Sequence, residues 1–517
     1  MIRATKLSIA SIFLISSLGP TARAQTQCTP AWDGSIGVPA FNNVVQSLTV
    51  FDDGGGSQLY AGGSFTGVGA TGAKHVARWD GSAWSALDTG VTQSGISGTV
   101  LALSPFSDGA GGRLCAAGIF DTAGGVPAAN VAQWSGSSWS AMGDGFNNTV
   151  YALARNNGEL YAAGNFTTSG PDLITRIAEW SGSDWTPLAA GFNSFVFALA
   201  SFDDGSGGGP ELCAGGQFSL SGTTPIKKIA QWNGLTWSPL GDGLDNSFGN
   251  AWVAALAVYD DGSGSGPELY AGGNFTLSGT TNISHVAKWN GSAWLPLGSG
   301  VNGFLGVTAL AVYDDGSGSG PELYAGGDFT VAGGVSATFV AKWNGTSWSS
   351  PGTGVDLPVY ALETFDDGAG ASLYAGGQFQ HAGGMLAGGV AEWHGTPPTP
   401  ASASFRNGSG VNPAGFAQVT PSVIGTNWNV TVDVVTPPNV YASIVVAGLG
   451  GPTQVSTGFG ELLCLPPYFK SVAFGAHSIP IPNDCGSVGM VVCTQAATLA
   501  PGDIRLQNAL DITIGTF

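Results

Sequence analysis

The chain has 517 residues, with 15 Lys and Arg against 34 Asp and Glu, a formal net charge of −19, and 84 glycines. Such an acidic surface repels phosphate backbones and argues against a nucleic-acid partner. Only 9% of residues are charged, which would suit a fibre, but 26 Phe and 16 Trp point to a packed core whose glycines sit in turns.

In chain order, residues 1–24 read as a secretory signal. Arg3 and Lys6 precede an apolar stretch from Leu7 to Leu18, and Ala22 to Ala24 form an A-R-A site before Gln25. That stretch is too short for a spanning helix, and no later run approaches about 18 apolar residues, so the mature chain is expected to lack a transmembrane helix. Residues 25–404 carry 9 basic and 29 acidic side chains, and residues from Phe405 onward carry 3 and 5. The acidity therefore belongs to the first of these regions.

Within it one phrase recurs seven times: L-Y-A-G-G-x-F, a variable segment, then V-A-x-W-x-G-x-x-W-x-x-L. Its phenylalanines are Phe65, Phe120, Phe166, Phe218, Phe275, Phe329 and Phe379. Its first tryptophans are Trp79, Trp134, Trp180, Trp232, Trp289, Trp343 and Trp393. Both series step by 55, 46, 52, 57, 54 and 50 residues. A period near 50 suits one four-stranded propeller blade. In the copy from Val307 to Ser350, V-T-A-L-A-V-Y reads as a buried strand. D-D-G-S-G-S-G (Asp314 to Gly320) reads as a turn, with Asp capping and Gly supplying positive φ. P-E-L-Y-A-G-G is the second strand, F-V-A-K-W-N-G the third, and the fourth starts at Trp348. The tryptophans are expected to wedge between adjacent blades. No segment has a 3.6-residue period, so almost no helix is expected.

The last copy breaks off after Val390 to Gly395, and Pro398 stands where its second Trp would be. The segment from Ala31 to Gly34, followed by Val38 to Phe41, is similar to the end of a copy, Trp289 to Leu297. That segment is expected to supply the missing outer strand of the last blade, which removes an open sheet edge. The expected architecture is all-β: a seven-bladed β-propeller over 25–398, a T-P-P-T-P-rich linker ending at 399–404, and a small C-terminal β-sandwich over 405–517. Strand-like runs in that last region include G-F-A-Q-V-T, W-N-V-T-V-D-V-V, Y-A-S-I-V-V-A-G, S-V-A-F, G-M-V-V-C and R-L-Q-N-A-L-D-I-T-I.

The repeat resembles the kelch superfamily of propellers, with a paired glycine closing one strand and a Trp further on. It is more similar still to secreted bacterial proteins, and to fungal cortical polarity-marker proteins, that carry A-G-G-x-F…V-A-x-W-x-G repeats. The resemblance covers Ala31 to Gly395. The second and third copies depart from it, with Ala117-Gly118 and Ala163-Gly164 in place of Gly-Gly. It implies a fold and leaves function open, because propellers host enzymes, receptors and scaffolds alike.

Residues able to carry chemistry are few. Cys115 and Cys213 stand where Tyr270 and Tyr324 stand in other copies, so they read as small core residues. Cys28, Cys464, Cys485 and Cys493 are free to form disulfides in an exported chain. Cys485–Cys493, Cys464–Cys485 and Cys464–Cys493 are all open pairings. His75 and His285 share a slot with Asn130, Arg176, Lys228, Phe339 and Gly389, a mixture that reads as blade surface. His381, His394 and His477 complete the histidines, and none has metal-ligand spacing. The G-S-G-S-G stretches at Gly262 to Gly266 and Gly316 to Gly320 read as hairpin turns, not nucleophile elbows. Paired carboxylates recur at Asp52-Asp53, Asp203-Asp204, Asp260-Asp261, Asp314-Asp315 and Asp366-Asp367, with Asp108 alone in the second copy. They offer Ca²⁺ a weak foothold, while capped hairpin tips explain them as turns. Asp328 is a lone departure where other copies have Ser64, Ile119, Asn165, Gln217, Asn274 and Gln378.

These features suit a secreted, non-catalytic scaffold at the cell envelope or outside the cell, binding a protein or glycan and needing no cofactor. Its ligand would be met by the variable segments such as Thr66 to Lys74, Thr167 to Thr175, Ser219 to Lys227 and Thr276 to Ser284. The alternative is a polysaccharide lyase or hydrolase, or a copper oxidase. The latter would need a Cys–Tyr pair, which the repeat-equivalent Cys115 and Cys213 do not favour.

Overall fold

The structure is a computed structural model that describes residues 30–395, apart from 95–97, 108–110, 206 and 368–369, and the strands between 402 and 513. The leader, Cys28, Asp108 and Cys485 lie outside the described residues. The chain forms two units, one over Gln27–Pro398 and one containing Thr399–Phe517.

Among the described residues the first unit holds seven four-stranded antiparallel sheets, and its one helical element is a 3₁₀ turn at Ser35–Gly37. No helix among them is long and apolar enough to cross a membrane. In the sixth sheet the strands are Val307–Tyr313, Glu322–Gly327, Val340–Trp343 and Trp348–Ser349, paired in that order. The seventh sheet is built from both ends of the unit. Val359–Asp366, Ala371–Gly377 and Val390–His394 are joined by Ala31–Asp33, with Ala31, Trp32 and Asp33 opposite His394, Trp393 and Glu392.

Apolar burial lies between sheets, not within them. Seven clusters each join one sheet to the next, and the cyclic order closes where Val45, Leu48 and Leu59 of the first sheet pack with Ala361, Phe365 and Tyr374 of the seventh. The paired glycine explains how closely the sheets approach. A Cβ on Gly62 would stand 2.5 Å from Val100 Cγ1 of the next inner strand, one on Gly326 2.6 Å from Val359 Cγ1, and one on Gly376 2.8 Å from Val45 Cγ1. Real Cβ atoms do not come that near, so glycine sets the spacing. The tryptophans combine two roles. They pair across the third and fourth strands of their own sheet, as Trp343 and Trp348 do at 5.4 Å. In six of the seven pairs the second also reaches the preceding blade position by donating its indole N–H to a carbonyl there, as in Trp348 to Leu297 (2.9 Å), Trp84 to Ile36 (2.8 Å) and Trp32 to Pro351 (2.9 Å); Trp237 does not.

The Asp-Asp turns split the work between their two carboxylates. The first caps the turn: Asp52 Oδ1 accepts from Gly54 N, Asp260 Oδ1 from Gly262 N, and Asp314 Oδ1 from Gly316 N. In three of the five turns the second turns inward to a cation on the third strand. Asp53 meets Arg78 at 2.8 Å, Asp261 meets Lys288 at 2.8 Å, and Asp315 meets Lys342 at 2.6 Å. Lys288 and Lys342 also hold the buried Glu268 and Glu322. Burial pushes the Asp315 carboxyl up, but the bonds from Lys342 and Ser317 outweigh it and hold the group below its usual value.

One sequence reading needs correcting. The slot of His75, Asn130, Arg176, Lys228, His285, Phe339 and Gly389 is not blade surface. All seven residues have positive φ, from 64° to 94°, and His75 and Lys228 are only 3% and 5% exposed. Six of them close the same backbone ring: His75 N–H donates to Phe65 O while its carbonyl accepts from Gly63 N, and Phe339 does the same with Phe329 and Gly327; Gly389 shares the carbonyl half, accepting from Gly377 N. The slot is defined by a left-handed backbone, which explains why no side chain is shared.

The second unit is all-β in its described strands. A five-stranded antiparallel sheet runs Ser402–Arg406, Asp503–Thr513, Val491–Ala500, Ala442–Gly448 and Phe469–Ala473. A three-stranded one runs Phe416–Gln418, Asn427–Val432 and Ala476–Pro480. Ser402 to Ser404 pair with Thr513 to Asp511, so structure begins inside the stretch expected to be linker. The alternating A-S-A-S-F sequence suits a strand as well as a tether. Cys464 and Cys493 end or lie on strands Gly460–Cys464 and Val491–Ala500.

Gly326→Val should cost on the order of 1–3 kcal/mol or more by overpacking against Val359, seen as a lower unfolding midpoint. Lys342→Ala should leave Asp315 and the buried Glu322 uncompensated and cost about 3 kcal/mol at pH 7. Asp315 is held below its usual range, so its pairing stabilises above pH ~4 and is lost as pH falls further. The gap between wild type and Lys342→Ala, followed by urea unfolding, should therefore narrow from pH 7 to pH 3.

Candidate functional site

Each inner strand begins at the end of its sheet where the second strand finishes in Gly-Gly. Val307 stands opposite Gly327, and Val253 opposite Gly273. Two kinds of loop meet at this end. The segments after G-G-x-F fold into small hairpins, for example Gly67–Val68 with Thr71–Gly72 and Val331–Ala332 with Val335–Ser336. The other loops carry the chain from one sheet's outer strand to the next sheet's inner strand. An Asn or Asp clamps the two together. Asn302 Oδ1 accepts from Thr330 N and Val331 N, Asn147 Oδ1 from Thr167 N and Thr168 N, and Asp356 Oδ1 from Gln380 N and His381 N. His381 adds a 2.8 Å contact from its Nδ1 to Asp356 Oδ2 and stays exposed.

Several connecting loops carry aromatic or apolar side chains that the repeat does not require. Phe304 is 79% exposed and Phe248 86%. Neither loop is slack. Asp328, the lone departure in the G-G-x-F series, accepts three backbone N–H groups: Phe304 (3.0 Å) and Leu305 (2.9 Å) at Oδ2, and Gly306 (2.8 Å) at Oδ1. Its role is to brace the loop that presents Phe304. Around Phe248, Asn246 Oδ1 accepts from Phe248 N and Asn250 N, and Lys228 Nζ donates to the carbonyls of Gly249 and Gln217. Asn274 Oδ1 accepts from Trp252 N at 2.7 Å just beyond.

Deeper, the residue after the first Val of the inner strand is half-buried in every sheet and is Gln46, Leu101, Tyr151, Phe197, Ala254, Thr308 or Tyr360. Tyr151 packs on Phe197 at 5.0 Å and on Phe195 at 6.3 Å, an edge-to-face cluster that bridges the third and fourth sheets. The segments named from sequence, Thr66 to Lys74 and its equivalents, lie at this same end. The aromatics in the neighbouring loops, such as Phe195, Phe248 and Phe304, were the stronger sign, because the repeat does not call for them.

Glu363 is a second departure that sequence reading passed over. On the inner strands it stands opposite Tyr374, where Thr49, Ser104, Ala154, Ala200, Ala257 and Ala311 face Tyr or Cys of their own second strands. Burial pushes its carboxyl up to about 7, offset only by a bond from its neighbour Thr364 N. It is an acid–base group poised near neutrality.

The other candidates do not converge. Cys115 and Cys213 are fully buried free thiols, Cys115 lying 3.4 Å from Met142 Sδ. Among the described residues no Asp-Asp turn gains a third His, Cys, Asp or Glu at ligand distance. The one group that does is Asp33, Glu392 and His394, at the opposite end of the sheets from the aromatic loops. A 260 Å³ depression at that end, lined by Phe106, Glu159 and Trp180 among others, holds a single carboxylate.

No protein-family model matches the chain, and no curated protein matches it either. Solved structures that resemble it include the extracellular domain of a hybrid two-component system from B. thetaiotaomicron, at 11% identity and TM-score 0.41, covering 96% of this chain and 59% of that one. Another is the V. cholerae biofilm matrix protein Bap1, at 11% identity and TM-score 0.26, covering 71% of this chain and 66% of that one.

Glu363→Gln should be more stable than wild type above pH 7, by at most about 3 kcal/mol. The raised folded-state value costs stability as pH climbs from about 4.5 to about 7, so the two proteins should converge below pH 4.5. Unfolding midpoints across that range test it.

Proposed function

We propose that residues 30–395 are a seven-bladed β-propeller acting outside the cell as a non-catalytic binding scaffold, with a β-sandwich following it. Support for the architecture comes from the cyclic order of the apolar clusters and from Ala31–Asp33 completing the seventh sheet. The ligand is met at the Gly-Gly end of the sheets. The observation that carries this is the pair of braced loops holding Phe248 and Phe304 out in solvent, at the same end of the sheets as the Tyr151–Phe195–Phe197 cluster. Exposed aromatics on loops braced by side-chain-to-backbone bonds lose little freedom when a ligand covers them, which is how rigid binding surfaces gain affinity. Most of the surrounding clamps are Asn, Thr and Ser, donors and acceptors without charge, and Asp356 is the acidic exception. Flat apolar faces among neutral hydrogen-bonding groups suit the hydroxyl-rich rings of a glycan, or a neutral protein surface.

An enzyme reading rests on Glu363 alone. A carboxyl near neutrality is what a general acid needs, but glycoside chemistry calls for a second carboxylate.

A glycan array with the full chain should give hits that the Phe248→Ala, Phe304→Ala double variant loses by tenfold or more, with its unfolding midpoint unchanged. Retained binding in that variant, or depolymerisation of a bound polysaccharide that Glu363→Gln abolishes, would overturn this reading.

A further inference from the structure

The sheet completed by Ala31–Asp33 differs from its six counterparts in charge. At one register position the third and fourth strands place Arg78 opposite Ser85, Gln133 opposite Ser140, Glu179 opposite Thr186, Gln231 opposite Ser238, Lys288 opposite Leu295, and Lys342 opposite Ser349. In the seventh sheet that pair is Glu392 opposite Asp33. Like charges directly opposite on a sheet repel. The third-strand residue of this pair is also the one that neutralises the turn aspartate in three other sheets, as Lys342 neutralises Asp315. Here it is an acid, only 6% exposed, and Asp367 of the adjacent turn adds to its field.

His394 stands two residues further on the same face. Its counterparts Asp80, Ser135, Ser181, Asn233, Asn290 and Asn344 lie in the turn joining third and fourth strands, and most cap it, as Asn290 does by accepting from Ser292 N and Ala293 N. No such turn exists in the seventh sheet, because its fourth strand comes from the other end of the unit. His394 instead pairs with Ala31. Its imidazole lies between the two acids, with Nδ1 3.3 Å from Glu392 Oε1 and Nε2 3.9 Å from Asp33 Oδ2. Ser372 Oγ lies 3.4 Å from Nδ1, and the Asp33 carboxylate accepts from Ser35 N and Ser35 Oγ. One donor atom from each of Asp33, Glu392 and His394 lies within 4.8 Å of the others.

We propose that Asp33, Glu392 and His394 form a site for one zinc-like divalent cation that clamps the Ala31–Asp33 strand to the last repeat. One imidazole and two carboxylates are a donor set for Zn²⁺ and its neighbours, with water free to complete the coordination. A hard ion such as Ca²⁺ would call for more oxygens and no imidazole. A divalent charge would balance two facing carboxylates and leave the imidazole to ligate in its neutral form. Because one donor comes from the first strand and two from the last repeat, the ion would bind only when that sheet is complete, and binding would stabilise the fold.

The test uses the full chain, stripped with a chelator and titrated separately with Zn²⁺, Co²⁺, Mg²⁺ and Ca²⁺. The expected result is a rise in unfolding midpoint with Zn²⁺ and with Co²⁺, none with Mg²⁺ or Ca²⁺, and one Zn²⁺ bound per chain by calorimetry. His394→Ala and Asp33→Asn should each weaken Zn²⁺ binding at least tenfold, and the Co²⁺ complex should lose its visible absorption in both. Asp33→Asn keeps size and strand pairing, so it serves should His394→Ala misfold. The site is refuted by Zn²⁺ affinity unchanged in Asp33→Asn, by no Zn²⁺ binding to wild type, or by an equal midpoint shift with Ca²⁺.

Discussion

The contact on which the rest of the first unit depends is a glycine against a valine. In five of seven junctions the first glycine of the Gly-Gly pair faces the first valine of the next sheet's inner strand, where a Cβ would stand 2.4 to 2.8 Å from the valine Cγ1. The other two junctions have Ala117 and Ala163 there, the smallest side chain available. This spacing lets the large side chains pack between sheets, where Tyr, Phe and Trp fill the wider part of each gap. A wider junction would open seven cavities at once, and interiors tolerate few voids larger than water. The same contact recurs at Gly376 against Val45, so the last junction is made with the same atoms as the others.

That economy decides where function can reside. The residues of the repeat are consumed by spacing, by indole bonds to the preceding sheet, and by turn caps. The left-handed slot shows how far this goes. It asks only for a backbone, so its side chain is free, and the chain uses it locally: Lys228 braces the loop of Phe248, while Asn130 donates to Phe146 O. The connecting loops are freer still, since the Asn clamp fixes their ends and leaves their tips to vary. Exposed Phe248 and Phe304 sit on tips held by Asn246 and Asp328, so the cost of presenting them in water is met by ordered polar bonds beneath.

Strand order, turn chemistry and the core tryptophans were legible because each is written as a residue type at a constant spacing. Four features were not. The left-handed slot carries seven residues of six types, and φ has no side-chain signature unless glycine dominates. The small hairpins after G-G-x-F are two residues per strand, too short for any periodicity to register. Asp328 stood out in sequence only as a lone departure, because its partners are backbone N–H groups 22 to 24 positions earlier, which composition cannot reveal. The facing pair Asp33 and Glu392 was hidden for a related reason: 359 residues separate them, and only the strand register places one opposite the other.

A repeat must be broken somewhere if its first and last copies share a sheet, and the break releases residues from duties they hold elsewhere. His394 has no turn to cap. Glu392 lies across from a strand that did not descend from its own hairpin. Glu363, on the inner strand of the same sheet, replaces a small residue with a buried acid. Three polar departures within one sheet cannot be assigned to packing, since the packing there reproduces the other junctions: Trp32 bonds to Pro351 O as Trp348 does to Leu297 O, and Trp32 and Trp393 lie 5.4 Å apart as Trp343 and Trp348 do. The apolar side of the seventh sheet keeps the rule while its polar side departs from it. Burial opposes the charged forms of Glu363 and Glu392, while Asp33 and His394 favour each other's charge, so the polar side of this sheet holds a cluster that the repeat does not require.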